Sequence, residues 1–433
     1  MSGLHDGVRD PDALASTQVQ AIQARTVRVM VGAQAFGGLA LTIAVAVTTV
    51  LARDVSGSES LAGLAQTVQV LGAACAAYVL ARLSSARGRR VGIVTGYGAG
   101  GLGAAVCVVA GAAGSFALLL VGTLLLGATG ASTYQARYVA ADLALPAHRG
   151  RALATVMWAT TVGAVLGPNL VGPSGDLARR LDLPALTGPF LMSVVISLLA
   201  AGIVLVRLRP DPLQVAREVA GAGAGDGALP GGWRRTWEVM RTRPAVAAAI
   251  AAVSGAHAVM IAVMVMTPLH MDHGGAELEV IGFVISIHVL GMFFFSPVMG
   301  WLADRFGRAP VLVGGGAVLL AACLVTGLSR EGASIAIGVG LFLLGLGWSA
   351  TTVAGSALLT DAVPVEDRAE VLGSSDLLMN VAAAVAAVLG GVVVGTLGFA
   401  ALNVFAATLV VGVLWAAEVA RRDRARSQRA PAS

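Results

Sequence analysis

The 433-residue chain contains no lysine; all 29 of its basic residues are arginine. Charge of either sign is scarce, at 12% of residues against about 25% in an ordinary soluble domain. Hydrophobic residues make up 57%, a balance that excludes a soluble globule and fits a polytopic membrane protein. Only three cysteines occur, Cys75, Cys107 and Cys323, all inside apolar segments. They offer no disulfide framework, and each reads as a small packing residue. Aromatics are sparse at 5%, so few stacking groups are available to a planar cargo. No G-x-x-x-x-G-K-[ST] phosphate loop is present, which removes ATP-driven chemistry. No nucleophile–base set or metal-hydrolase spacing is present either, which removes an enzyme. A non-transporting membrane sensor would carry a soluble signalling domain, and none is read here. Residues 1–24 are polar and lack an apolar h-region, so the first span is expected to be an uncleaved anchor.

What is there is a succession of apolar runs. A helix needs roughly 20 residues to cross the hydrocarbon, and twelve candidate spans fall near 26–51, 59–80, 91–112, 116–138, 152–172, 187–206, 245–270, 278–300, 309–329, 333–358, 370–395 and 398–419. The expected organisation is an N-terminal tail (1–25), a six-helix bundle (26–206), a linker (207–243), a second six-helix bundle (244–420) and a C-terminal tail (421–433). The linker holds the run AGAGAGDGALPGG between arginines and is expected to be flexible. With the N-terminus inside, the outer loops hold only Arg53, Arg179, Arg180 and Arg330. Both termini are therefore expected in the cytoplasm of a multi-pass plasma-membrane protein. The net charge of +5 is a topology signal, and nucleic-acid binding drops out.

The two halves echo each other. ADLALPAHRGRALA precedes the fifth span and TDAVPVEDRAEVLG the eleventh, with Asp142 seven residues before Arg149 and Asp361 seven before Arg368. ARLSSARGRR (81–90) after the second span matches GWLADRFGRA (300–309) after the eighth, aligning Leu83, Gly88 and Arg89 with Leu302, Gly307 and Arg308. The fold class expected is an all-α membrane protein of twelve transmembrane helices in two pseudo-symmetric six-helix bundles. Duplication of this kind builds transporters with a substrate site near mid-membrane.

GWLADRFGR resembles the loop signature of the major facilitator superfamily, and six spans, a basic linker and six more spans fit that family over essentially the whole chain. Gly300 and Gly307 allow a tight turn, while Asp304 is placed to accept from a helix N-terminus or pair with Arg308. The resemblance implies that this loop latches the cytoplasmic side in one transport state. Ser85 stands where the first-half copy would have the aspartate, so that latch is expected to be weaker. Arg137 with Asp142, and Arg149 with Asp361 or Arg368 with Asp142 across the pseudo-twofold, read as gate charges. Gly163-x-x-x-Gly167-Pro168 resembles the superfamily's antiporter-type motif; small residues four apart permit close helix packing and the proline a bend.

The stretch 254–308 carries the candidate substrate chemistry. Met260-x-x-x-Met264 and His288-x-x-x-Met292 each place two soft donors on one helical face, and thioether with imidazole suits copper(I). At about 1.5 Å per residue Met260 and His288 lie level, as do His257 and Met292. Adjacent spans would then present a ladder, with Met264 one turn outward and Met271 near the mouth. Methionine at this spacing is also ordinary core filling. The pair of motifs resembles the CcoA-like copper-uptake branch of the superfamily, which lies close to riboflavin carriers. That resemblance implies inward movement of copper(I) or a small copper complex as cargo, with Met260, Met264, His288 and Met292 as metal ligands; helical geometry adds His257 on the same face and Met271 near the mouth. The alternative is an organic solute, taken up as riboflavin is or exported as a drug, with the Met/His pairs as packing. Asp376, an intramembrane carboxylate, is the candidate coupling residue. No resident cofactor is expected; the partners are the lipid bilayer and the cargo, and a single chain suffices.

Overall fold

The structure, a computed structural model, describes residues 16–221, 233–330 and 333–429. Residues 1–15 of the expected N-terminal tail, 222–232 of the linker and 430–433 of the C-terminal tail lie outside the described residues.

The described chain is helical throughout. The first half consists of α1 (Thr17–Ser56), α2 (Glu59–Arg87), α3 (Arg89–Ala113), α4 (Phe116–Val139), α5 (Arg149–Trp158), α6 (Thr160–Asn169), α7 (Val171–Arg180) and α8 (Gly188–Arg207). Two short helices follow, α9 (Pro212–Val219) and α10 (Trp233–Thr242). The second half consists of α11 (Pro244–His273), α12 (Leu278–Phe293), α13 (Ser296–Phe306), α14 (Arg308–Gly327), α15 (Ser334–Ala362) and α16 (Val365–Arg429). Among the described residues ten stretches are long and apolar enough to cross a membrane, and the bent α5–α7 segment, turning by 55°, supplies another. Within α16, Gly398 leaves helical geometry at φ 86°, ψ 175°, which divides it into two spans. The result is twelve membrane-spanning segments in two halves of six.

Local chemistry fixes the ends. Ser16 caps α1 by accepting from the Val19 N–H, and Gly57 closes it at φ 65°, the left-handed conformation that glycine adopts without a Cβ penalty. Gly88 and Gly307 hold the same special backbone, φ 93° and φ 95°, at the turns into α3 and α14, so the duplicated loop keeps one geometry in both halves. Pro168 sits inside α6 just before the chain bends into α7, because proline cannot donate the hydrogen bond that would keep the helix straight.

Helices extend beyond the hydropathy limits. α1 begins inside the expected tail and α16 runs on to Arg429. The linker departs further from expectation, since its described ends are folded as α9 and α10. Asp211 caps α9 by accepting from the Leu213 N–H, with Pro212 opening the helix, and Ala216 is buried against Val19 and Leu143.

Close packing in the first half runs through the glycine pair. A Cβ on Gly163 would sit 2.5 Å from the Gly38 carbonyl carbon, and one on Gly167 would collide with the Thr42 side chain. Thr42 Oγ1 donates to the Gly163 carbonyl at 2.8 Å, so α6 touches α1 backbone to backbone. Gly163→Leu is expected to force the helices apart at a cost of about 1–3 kcal/mol. Thermal unfolding in detergent should show a lowered midpoint, while Gly172→Leu, where a Cβ meets open space, should leave it unchanged.

Candidate functional site

The two halves are joined at the face that carries the linker and the duplicated loops. Asp304, at the end of α13, accepts from the backbone N–H groups of Gly150 and Arg151 at 2.9 Å each. A carboxylate there meets the unsatisfied N–H groups and positive dipole end of α5. Arg151 and Arg308 add their guanidiniums at 3.3 Å. The approach is close because both sides lack side chains: a Cβ on Gly300 would lie 2.5 Å from the Gly150 carbonyl oxygen.

Around this cap lies a pseudo-symmetric set of charges. Arg308 pairs with Asp361 at 3.0 Å and donates to the Pro146 carbonyl across the halves. Arg149 reaches Asp361 from the first half at 2.7 Å. In the other copy, Arg89 forks onto Asp142 at 2.8 and 3.2 Å, and Arg368 reaches the Asp142 backbone carbonyl at 3.4 Å. Of the three expected gate pairs, Arg149 with Asp361 is present. Arg368 meets the Asp142 backbone instead of its carboxylate, which Arg89 already occupies.

Arg137 does not pair with Asp142, five residues along, as its spacing predicts; its Nη2 donates to Asp376 at 2.7 Å across the halves, with both side chains at most 2% exposed. The reason is direction. Arg137 lies on α4 with its guanidinium over the rings of Tyr134 and Tyr138, 5.5 and 4.6 Å from their centroids, which aims it at α16. Tyr138 Oη lies 3.4 Å from the same Asp376 oxygen, while Asp376 Oδ2 is buried without a hydrogen-bond partner. Asn380 donates to the Asp376 backbone carbonyl at 2.8 Å.

An aromatic–imidazole cluster continues from this pair. Tyr134 stands edge-on to His257 at 6.1 Å, His257 lies 5.8 Å from Trp348, and Trp348 meets Phe293 edge-on at 5.7 Å. The cluster therefore draws on α4 from one half and α11, α12 and α15 from the other. Trp348 and Tyr138 were missed by sequence reasoning; the available signal was a tryptophan inside a span, whose N–H needs a buried partner.

The methionine–histidine ladder takes a different form from the one expected. α11 packs along α15 and α16, and α12 packs along α15, so both spans face α15 more than each other. Trp348 Nε1 donates to His257 Nδ1 at 2.8 Å, which uses the lone pair of the neutral ring and leaves its hydrogen on Nε2. His257 is not free to bind metal while that bond stands. His288 Nδ1 lies 2.8 Å from the Leu341 carbonyl, an acceptor, so Nδ1 carries the hydrogen and Nε2 presents a buried lone pair without a hydrogen-bond partner. Met260, Met271 and Met292 are buried in the apolar core of the second half, with Met264 half-buried against it. Among the described residues no group of three or more His, Cys, Asp or Glu side chains is placed to hold a metal ion.

Several polar residues of the first half are occupied in packing. Gln34 donates to Thr160 Oγ1 at 2.8 Å and Gln135 to the Ala77 carbonyl at 2.7 Å. Trp158 and Asn169 are exposed, which places them on the lipid side or at a surface rather than in a closed core.

Comparison with known proteins agrees with this architecture. The sequence profile of the Major Facilitator Superfamily matches residues 30–277 and 260–433. The uncharacterized MFS-type transporter YddS of Bacillus subtilis is 37% identical over 89% of this chain and 88% of its own. The riboflavin transporter RfnT of Brucella anthropi is 28% identical over 79% of this chain and 81% of its own. Among solved structures, the Major Facilitator Superfamily transporter FucP in the outward conformation superposes with a TM-score of 0.72 at 17% identity, covering 91% of this chain and 98% of that one. The chain belongs to the major facilitator superfamily, a family of membrane transporters.

Asp304→Ala is expected to strip α5 of its cap and leave Arg308 one carboxylate short, at about 1–3 kcal/mol. Unfolding followed in detergent should show a clear fall in midpoint. Ser85→Ala, at the equivalent position, should show a much smaller one.

Proposed function

We propose that the protein is a proton-coupled secondary transporter that carries a small organic solute across the plasma membrane by alternating access. It acts as a single chain with its linker face in the cytoplasm. The observation that carries this reading is the Arg137–Asp376 pair, which ties one half to the other at the foot of the aromatic–imidazole cluster. While Asp376 is ionised the pair holds the linker face shut. A proton on Asp376 removes the charge partner of a buried arginine, and breaking such a pair costs about 3–5 kcal/mol. The halves then part at the linker face and release the cargo inward with the proton. Tyr134, His257, Trp348 and Phe293 supply flat faces and a ring N–H for a planar cargo. The placement of the arginines supports the orientation, and the kinship to a protein named as a riboflavin transporter supports the cargo class.

Copper(I) is the second reading, favoured by one observation: the unpartnered Nε2 of His288 in a core that also holds Met260, Met264 and Met292. Soft neutral donors suit that ion. The engaged lone pair of His257 counts against the full ladder.

The two are separated in proteoliposomes with an imposed proton gradient, using radiolabelled riboflavin as the organic probe and copper(I) as the metal probe. Gradient-driven riboflavin uptake is expected in the wild type, with Asp376→Asn and Trp348→Ala at the level of empty liposomes and Met264→Ala unchanged. Copper movement abolished by His288→Ala and Met292→Ala would transfer the function to the second reading. Neither probe moving would reject riboflavin-like cargo.

A further inference from the structure

We infer that the linker serves as a latch of the transport cycle: Arg217, on α9, does for the first half what Asp304 does for the second. The inference rests on alternating access and is independent of the cargo.

The duplicated loops set up the comparison. Asp304, Arg308 and Asp361 of the second half correspond to Ser85, Arg89 and Asp142 of the first, and Arg149 corresponds to Arg368. Arg89 pairs with Asp142 as Arg308 does with Asp361, and Arg368 reaches the Asp142 backbone where Arg149 reaches the Asp361 carboxylate; three of these four correspondences keep their charge. The fourth does not. Where Asp304 crosses the cleft between α13 and α5 to cap a helix of the opposite half, Ser85 has no charge to place in the cleft between α2 and α16. That cleft is as tight as the other, since a Cβ on Gly373 of α16 would collide with Ala81 of α2.

The linker fills the gap. Arg217 Nη1 donates to the Ser85 carbonyl at 2.8 Å, and Nη2 lies 3.3 Å from Ser85 Oγ and 3.4 Å from the Glu366 carbonyl of the opposite half. The guanidinium, 8% exposed as a residue, thus spans the cleft at the position the missing carboxylate would hold. At the position of Arg151, which meets Asp304, the twofold places Glu370, which is buried, so an aspartate at position 85 would not have the arginine that Asp304 has.

Arg217 is held for this task. Asp211 accepts from the Arg90 N–H at 2.8 Å and from the Leu213 N–H at 3.1 Å, which seats the start of α9 on the loop at Gly88. A Cβ on Gly88 would come within 2.5 Å of that carboxylate. The other linker helix grips the opposite half. Arg235 forks onto Asp367 at 2.9 Å twice, and Thr236 Oγ1 lies 3.0 Å from Ser374 Oγ. From α10 the Trp233 N–H returns to Tyr78 Oη of α2 at 3.2 Å. Each linker helix is fastened to one half by its shorter bonds and crosses to the other by a longer one, so the crossing bonds are the ones that part when the cleft opens.

The test uses the full-length chain in nanodiscs, with Cys75, Cys107 and Cys323 replaced and spin labels introduced in pairs. Arg87→Cys with Glu366→Cys reads the α2–α16 cleft; His148→Cys with Arg305→Cys reads the α5–α13 cleft. All four sites are exposed. Arg217→Ala is expected to move population to longer distances across the first pair, with a smaller change across the second. Asp304→Asn is expected to do the reverse. Asp211→Ala, which unseats α9 without touching the cleft, should reproduce the Arg217→Ala shift and serves if that variant is poorly made. A wild-type distribution across the first pair in both Arg217→Ala and Asp211→Ala would reduce the linker to a tether and overturn the inference.

Discussion

A charge inside an apolar medium is tolerated only with a partner, and this chain spends its few charges accordingly. Arg89 with Asp142, Arg137 with Asp376, and Arg308 with Asp361 are all buried or nearly so. Such pairs add little net stability over an apolar core, but removing one member is costly. They therefore act less as cement than as selectors, since any rearrangement must either keep each charge paired or neutralise it first. Because Arg137, Arg149 and Arg151 find carboxylates in the opposite half, what they select is closure of the linker face. In the proposed cycle a proton on Asp376 removes one of these pairings, and conformation would then follow proton supply.

The two halves repeat one scaffold and depart from it at a few positions. Arg89 and Arg308 make the same kind of bond to Asp142 and Asp361, and Gly88 and Gly307 turn the chain with nearly the same φ. The clefts they border are nonetheless closed by different means, one by a carboxylate from a loop and one by a guanidinium from the linker. Two latches of opposite charge need not weaken under the same condition.

Much of the frame was legible in the sequence because its signals are local. Hydropathy runs mark spans, and a repeated Asp-x6-Arg or G-x-L-x-D-r-x-G-R marks corresponding turns. The environment of Asp304 could be read in the same way, since a carboxylate after a helix and a glycine turn has few roles. What escaped depends on partners distant in sequence. Arg137 meets a residue 239 positions away, and the choice between Asp376 and the nearby Asp142 was set by Tyr134 and Tyr138 turning the guanidinium toward α16. The level rungs of Met260 with His288 assumed that consecutive spans are neighbours; α15 packs against both and takes the hydrogen bonds of both histidines. The linker looked flexible by its glycine–alanine run, yet the described residues on either side of that run form helices, one capped by Asp211 and both with buried positions.

The contact between Gly150 and Gly300 has a mechanical meaning. Each residue presents bare backbone to the other, with no room for even a methyl group. A side-chain contact can yield by changing rotamer, and so closes over a range of separations. Backbone against backbone has no such compliance. In the proposed alternating-access cycle this contact would be a hard stop, against which the halves close without any side chain to adjust.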